Sequence, residues 1–354
     1  MSDWLSALSA LSTISGEAPD SILVTVAMVE GSGPRAAGAK MRVGLHGQVD
    51  TIGGGHLELR AVEMAKTMLM TGDKATRIER LALGPSLGQC CGGVVYLAFE
   101  AVHAATPWWQ QLQQRRQHDS WRVSAVGGQA TALHDADGAW LAGSSAGLPQ
   151  DFSRARGTHL MHDAAGQRWL VDACLAPRAH LVLFGAGHVG AAIVRALAHL
   201  PCTVTWVDER EDMFPAQIPD NARVVASDMP EEQVAVAPPG ASFLVMTHSH
   251  ALDQRLTQAI MARDDTGWFG LIGSLTKRRQ FEHRLRARGV DEQRIAAMVC
   301  PIGMPGIKGK EPAVIAASVA CQLLQVWEAA ADAAADTAHA ALPSPRQQRA
   351  IYSI

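Results

Sequence analysis

Leu181-Val182-Leu183-Phe184-Gly185-Ala186-Gly187-His188-Val189-Gly190 decides the fold of the chain's second half. Four apolar residues make a strand, and three glycines follow at fixed spacing. The spacing alone is weak evidence. Here it leaves a strand, opens an apolar helix (Ile193, Val194, Leu197) and has Asp208 eighteen residues beyond the last glycine, at the end of a second strand. That context is the signature of a dinucleotide-binding turn. Gly185 permits the tight turn, Gly187 lets a phosphate reach the helix N-terminus, and Gly190 lets helix and strand pack closely. Asp208 is placed to accept hydrogen bonds from ribose hydroxyls. A domain that has kept the shape and lost the nucleotide would read the same way. Strand-like runs near 181–184, 203–207, 222–225, 242–246 and 268–272 alternate with helical stretches, which predicts parallel βαβ units. The expected fold class is α/β: a Rossmann-like parallel sheet with helices on both faces, preceded by an N-terminal mixed α/β domain.

The chain has 354 residues, long for one core and natural for two domains. A net charge of −3 and 18% charged residues leave no basic patch able to track a phosphate backbone, which argues against nucleic acid. Met1-Ser2-Asp3-Trp4 has no basic region leading into an apolar stretch, so no export signal is expected. No apolar run of 18 residues suggests a membrane span. Six scattered cysteines (90, 91, 174, 202, 300, 321) in such a chain are expected to be reduced, in a cytoplasmic protein.

The first half is organised around glycine. Residues 22–29 read as a buried strand. Gly31, Ser32, Gly33, Pro34, Arg35 and Gly38 form a loop, and a short strand lies near 41–45. Gly53-Gly54-Gly55 precedes a helix over about 56–70, with Leu57, Ala61, Met64 and Met68 on one stripe. Residues 102–177 hold five tryptophans between short strand-like runs and read as a strand-rich extension and connector. The divisions expected are 1–101, 102–177, 178–328 for the Rossmann-like domain, and an alanine-rich tail over 329–354.

Leu83-Gly84-Pro85-Ser86-Leu87-Gly88-Gln89-Cys90-Cys91-Gly92-Gly93 is the most unusual segment of the first half. Glycine and proline forbid regular structure there and let a ligand come close. Adjacent cysteines rarely pair with each other, because the ring they would close is strained. Two free thiols framed by glycine suit a soft metal or sulfur chemistry. Glycine-framed N–H groups could also lower a thiol pKa from the usual ~8.5. Gly53, Gly54 and Gly55 at a helix start offer N–H groups and a positive dipole end to an anion, with Arg35 and Lys40 adding charge. In the second half, Ser274 reads as a helix cap with Lys277, Arg278 and Arg279 behind it, another anion seat or simply a solvated face. His248, His250 and Asp253 have side chains that could hold a divalent metal, hydrogen-bond a phosphate or pterin, or merely cap and pack a loop.

Taken together these motifs resemble the xanthine dehydrogenase accessory protein family (XdhC/CoxI). The resemblance rests on Gly31-Ser32 with Pro34-Arg35 and Gly38-Ala39-Lys40-Met41, on Ile52-Gly53-Gly54-Gly55-His56-Leu57-Glu58, and on the double-cysteine loop. It continues through Phe184–Val189, Thr247-His248-Ser249-His250, Gly273-Ser274 with Lys277-Arg278, and Pro301-Ile302-Gly303. It implies a carrier rather than a catalyst, one that binds the molybdenum-molybdopterin cofactor as cargo and protects it during sulfuration. Such a carrier promotes insertion of the cofactor into apo-xanthine dehydrogenase, with a cysteine desulfurase as sulfur source and a homodimer as a reasonable state. Cys90 and Cys91 would contact the cargo's molybdenum, and NAD or another nucleotide would be a ligand of the Rossmann-like domain. Two other readings stand beside it. One is an NAD(P)-dependent oxidoreductase, which would need His188 or His248/His250 beside a nicotinamide. The other is a redox-sensing scaffold without a small ligand.

Overall fold

The structure, a computed structural model, describes residues 3–5, 21–84, 92–103, 105–144 and 152–340. The chain divides into two compact units, Ser2–Ala176 and Pro177–Ile354.

In the first unit, β1 (Ser21–Glu30), β2 (Lys40–Val43) and β3 (Gln48–Asp50) precede α1 (Gly55–Thr71), and β4 (Arg77–Ala82) and β5 (Val94–Val102) follow it. They make one sheet in the order β3-β2-β1-β5-β4, with every pairing antiparallel. After α2 (Pro107–Gln114) comes a second antiparallel sheet of β6 (Ser120–Ala125), β7 (Thr131–Asp135), β8 (Trp140–Gly143), β9 (His159–His162) and β10 (Arg168–Cys174), ordered β8-β7-β6-β10-β9. Residues 102–177, expected to be an extension and connector, thus build a full sheet of the first unit. Strand β1 explains why. Its Ile22, Val24 and Val26 share a core with Leu57, Ala61, Ala65 and Met68 of α1. Its alternate residues face the second sheet, Leu23 joining Trp109 and Leu133, and Ala27 joining Leu170. A strand covered on both faces reads as an unbroken apolar run rather than an alternating one. On α1 the buried stripe uses Ala65, and Met64 is only half-buried.

Five charged side chains lie buried among these strands; Arg42 lies over the Trp109 ring, and the other four form one network. Lys40 Nζ is 2.8 Å from Asp172 Oδ1 and donates to the Gly38 carbonyl at 3.0 Å. Arg122 spans two anions, with Nη2 2.9 Å from Asp172 Oδ2 and Nη1 2.6 Å from Glu100 Oε1. The Thr158 hydroxyl donates to Asp172 Oδ1 at 3.0 Å. Two cations and two anions balance, which is the condition under which buried charge is tolerated. Lys40 is therefore spent inside the fold, and does not add charge to an anion seat as its sequence position suggested.

The second unit contains β11 (Ala179–Phe184), α3 (His188–Leu197), β12 (Cys202–Asp208), β13 (Ala222–Ala226), α4 (Glu232–Ala235), β14 (Ser242–Val245), α5 (His250–Met261), β15 (Trp268–Leu271), α6 (Leu275–Arg286), α7 (Glu292–Ala297) and α8 (Pro312–Ala340). Its five strands are parallel, in the order β13-β12-β11-β14-β15, so the strand order reverses between β11 and β14. Alternation along β11 feeds two cores. Val182 and Phe184 pack with Leu256 of α5, Phe281 of α6 and Ile295 of α7. Leu181 and Leu183 pack with Ile193 and Leu197 of α3 and Val319 and Leu323 of α8. Helices cover both faces, as an all-parallel sheet requires.

Helix α8 continues past residue 329 into the alanine-rich tail, whose sequence allows either a helix extension or disorder. Pro312–Ala334 is long and apolar enough, by length and composition, to cross a membrane, with 28% of the tested window buried. Its Ala316, Val319, Ala320 and Leu323 belong to the core against the sheet.

Candidate functional site

Three glycine segments meet at one end of the first sheet. Strands β4 and β5 form a hairpin whose loop is closed at its root by the Leu83 N–H donating to the Gly93 carbonyl at 2.8 Å. Val94 pairs with Glu30, so the loop re-enters the sheet beside the start of the Gly31–Gly38 segment. A side chain on Gly93 would collide with the Ser32 carbonyl oxygen and stand 2.8 Å from that of Glu30, so only glycine allows this approach. Gly53 has φ +127°, and a Cβ there would lie 2.6 Å from Pro34 Cβ. The double cysteine belongs to this hairpin loop. Cys90 and Cys91 themselves lie outside the described residues, so the structure gives the root of their loop and its glycine neighbours. Arg35 and His56 are exposed at the same end.

The Gly53–Gly55 turn is less open than its sequence implies. Glu58 folds back over it: Oε2 accepts from the Ile52 N–H at 3.1 Å, the Gly54 N–H at 3.1 Å and the Thr51 hydroxyl, while Oε1 accepts from Gln48 at 2.8 Å. The Gly53 N–H donates to Thr51 Oγ1 at 3.0 Å. Burial disfavours the charge on Glu58, but these donors outweigh it and hold its carboxyl below the usual range. A carboxylate of the chain thus occupies amides expected to be free for a ligand. What remains for an anion is the first turn of α1, whose leading N–H groups have no intrahelical partner.

In the second unit the fingerprint behaves as its spacing predicts. A Cβ at Gly185 would stand 2.5 Å from the Met246 carbonyl oxygen, and one at Gly190 would collide with the Gly185 carbonyl. At Gly187, the residue before α3, no atom lies within 4 Å of an added Cβ, so the approach to the helix N-terminus is open. Gly187→Val should therefore fold with a stability change within roughly 1 kcal/mol and lose affinity for any phosphate ligand seated there. Equal affinity of variant and wild type for both NAD and pterin cofactor would make the turn a scaffold only.

Other polar residues meet at the carboxyl ends of β14 and β15. Ser274 caps α6, accepting from the Lys277 N–H at 3.3 Å. Lys277 does not project into solvent. Its Nζ lies 2.6 Å from Asp253 Oδ2 and donates to the Ile272 carbonyl at 2.8 Å. Asp253 Oδ1 accepts from the Thr247 N–H at 3.1 Å and hydroxyl at 2.7 Å. Lys277, Asp253 and Thr247 are thus a tie between two loops of the crevice. Asp253 is buried and committed, while His248 and His250 are exposed. Among the described residues no three of His, Cys, Asp and Glu gather as metal ligands. The described cysteines give no reactive thiol in the cores. Burial pushes Cys174 up to about 12 and Cys202 up to about 11, and raises Cys300.

Two family models match this architecture. Residues 19–81 match the model described as the XdhC and CoxI family, and residues 181–323 match the XdhC Rossmann domain. The chain belongs to the XdhC and CoxI family. The first match covers the glycine segments around Gly31–Gly38 and Gly53–Gly55. The second covers Gly185–Gly190, Asp208, Ser274 and Lys277. The cysteine loop lies between the two matched spans. An uncharacterized Escherichia coli (strain K12) protein, YqeB, is 33% identical over 155 residues, 42% of this chain and 27% of YqeB, so the chain spans only about a quarter of that relative. A Bacillus halodurans protein whose crystal structure was reported as that of a xanthine dehydrogenase shares the fold, with a TM-score of 0.71 at 21% identity, over 93% of this chain and 96% of that one.

Sequence reading missed three arrangements: Glu58 filling the glycine turn, Arg210 clasping Asp208 with Nε 2.9 Å from Oδ1, and the buried Lys40–Asp172–Arg122–Glu100 network. A signal for the last existed. Arg122 and Asp172 are each a charge set between apolar neighbours in a strand, in Trp121-Arg122-Val123 and Val171-Asp172-Ala173.

Proposed function

We propose that this chain is a maturation factor for a xanthine dehydrogenase. It holds the molybdenum-molybdopterin cofactor as cargo in the cytoplasm while a cysteine desulfurase supplies the terminal sulfur, and then passes it to the apo-enzyme. The observation that carries this reading is the convergence of the Gly31–Gly38, Gly53–Gly55 and Gly92–Gly93 segments at the root of the hairpin loop that bears Cys90 and Cys91. The cargo has two chemically distinct ends. Its phosphate suits an open helix N-terminus, and its dithiolene-bound metal is soft and suits thiolates. Membership of the XdhC and CoxI family supports the same reading.

The test is to purify the protein from molybdenum-sufficient cells, measure molybdenum by elemental analysis, and measure pterin by fluorescence of its oxidised derivative. Near-stoichiometric amounts of both are expected. Protein free of both, from cells whose molybdenum enzymes are active, would overturn the proposal. Sustained NADH production with a 2-hydroxy acid or aldehyde would instead favour the oxidoreductase reading. Reversible oxidation of Cys90 and Cys91 in cargo-free protein would favour the scaffold.

A further inference from the structure

Asp208 ends β12 where a nucleotide-binding domain places the carboxylate that receives the two hydroxyls of a ribose. An ionised carboxylate offers about four lone-pair positions. Here the chain fills them itself. Oδ2 accepts from the Ala186 N–H at 2.6 Å and from Arg210 Nη2 at 3.0 Å. Oδ1 accepts from the Arg210 N–H at 3.0 Å and from Arg210 Nε at 2.9 Å. The Asp208 side chain is 3% exposed and that of Arg210 37% exposed, so the open side of the pair belongs to the cation. Ala186 sits within the glycine turn, so the carboxylate also pins that turn against β12.

We propose that Arg210 is a specificity residue that closes the ribose subsite of this crevice, so that nucleotides presenting a free 2′,3′-diol, NAD among them, are refused. A diol offers two hydrogen bonds to Asp208. To make them it must displace a two-pronged guanidinium whose charge-assisted bonds are individually stronger. A ribose 2′-phosphate gains little in exchange, because the Arg210 guanidinium is already paired with Asp208 through Nε at 2.9 Å and Nη2 at 3.0 Å. Gly187 stays open, which leaves room for a phosphate without an adjacent diol. This inference is independent of the cargo reading. Its probes contain neither molybdenum nor pterin, so failure of one leaves the other standing.

The experiment titrates NADH and ADP-ribose, by fluorescence and calorimetry, into the full-length chain and into Arg210→Ala, Arg210→Lys and Arg210→Ala/Asp208→Asn. The wild type should show no saturable binding. Arg210→Ala should bind both probes at least tenfold more tightly, about 1.4 kcal/mol, and the double variant should lose that gain because the acceptor is gone. Circular dichroism and melting establish that each variant is folded. If Arg210→Ala is not folded, Arg210→Lys keeps the charge, removes the fork, and should still show a smaller gain. Micromolar NADH binding by the wild type, or no gain in a folded Arg210 variant, would overturn the proposal. So would tighter wild-type binding of 2′,5′-ADP than of ADP-ribose, which would make Arg210 an anion seat.

Discussion

The Cys90→Ala/Cys91→Ala variant is expected to melt with the wild type and to purify with at most about a tenth of its molybdenum and pterin. A thiolate is the natural ligand for a soft metal, and alanine removes both thiols without adding bulk. Stability should be spared because the hairpin is closed by backbone groups, Leu83 N–H to Gly93 C=O, and by the β4–β5 register. Activation of apo-xanthine dehydrogenase in a reconstituted extract should fall in parallel with the lost cargo. Full activation by the double variant would sink the role assigned to these cysteines. The single variants then rank them: loss in one and not the other assigns the contact to one sulfur.

Asp172→Ala should destabilise the first unit by about 3–5 kcal/mol, the usual cost of removing one partner from a buried ion pair. Lys40 and Arg122 would be left with Glu100 as the remaining anion of the network. Denaturant unfolding followed by tryptophan fluorescence reads this unit, since Trp108, Trp109, Trp121 and Trp169 are buried in it. A loss below about 1 kcal/mol would mean the network adds little. The same residue sets an acid limit. Burial alone would raise the Asp172 pKa, but Lys40 and Arg122 overcome burial and bring it down from 3.8 to about 2. A carboxyl lowered on folding adds stability above its unfolded pKa and loses it as pH falls through the folded value. The contribution, roughly 2 kcal/mol, should fade between about pH 4 and pH 2 in the wild type and be missing from Asp172→Ala.

How much of this was legible before folding follows from how far each signal reaches along the chain. The five parallel strands fall close to where apolar runs and glycines put them; β11, β12, β14 and β15 do so because a strand buried on both faces announces itself by composition. The tight turn at Gly185 and the close packing at Gly190 match their reading, since each involves neighbours a few residues away or the adjoining strand. Strand β4, Arg77-Ile78-Glu79-Arg80-Leu81-Ala82, carries too much charge to read as a strand, and forms because β5 supplies a complete antiparallel partner. The tryptophan-rich stretch reads as a connector because its cover is β1, far back in the sequence. The Gly53–Gly55 turn reads as open, whereas the Glu58 carboxylate already accepts from its Gly54 amide.

The sequence by itself determined the class of the fold, the βαβ order of the second unit, the glycine turns and the loop that carries Cys90 and Cys91. These rest on local rules: side-chain alternation, backbone freedom at glycine, and capping by Ser274. The tertiary structure alone decided that Lys40 is a buried ion-pair partner, that Lys277 ties two loops together, that Asp253 is committed to Thr247 and Lys277, and that Arg210 covers Asp208. Each of these turns on which charged group comes within about 3 Å of which in three dimensions. A charge's role is set by its partner and its burial, and neither is written in the residue's own neighbourhood along the chain.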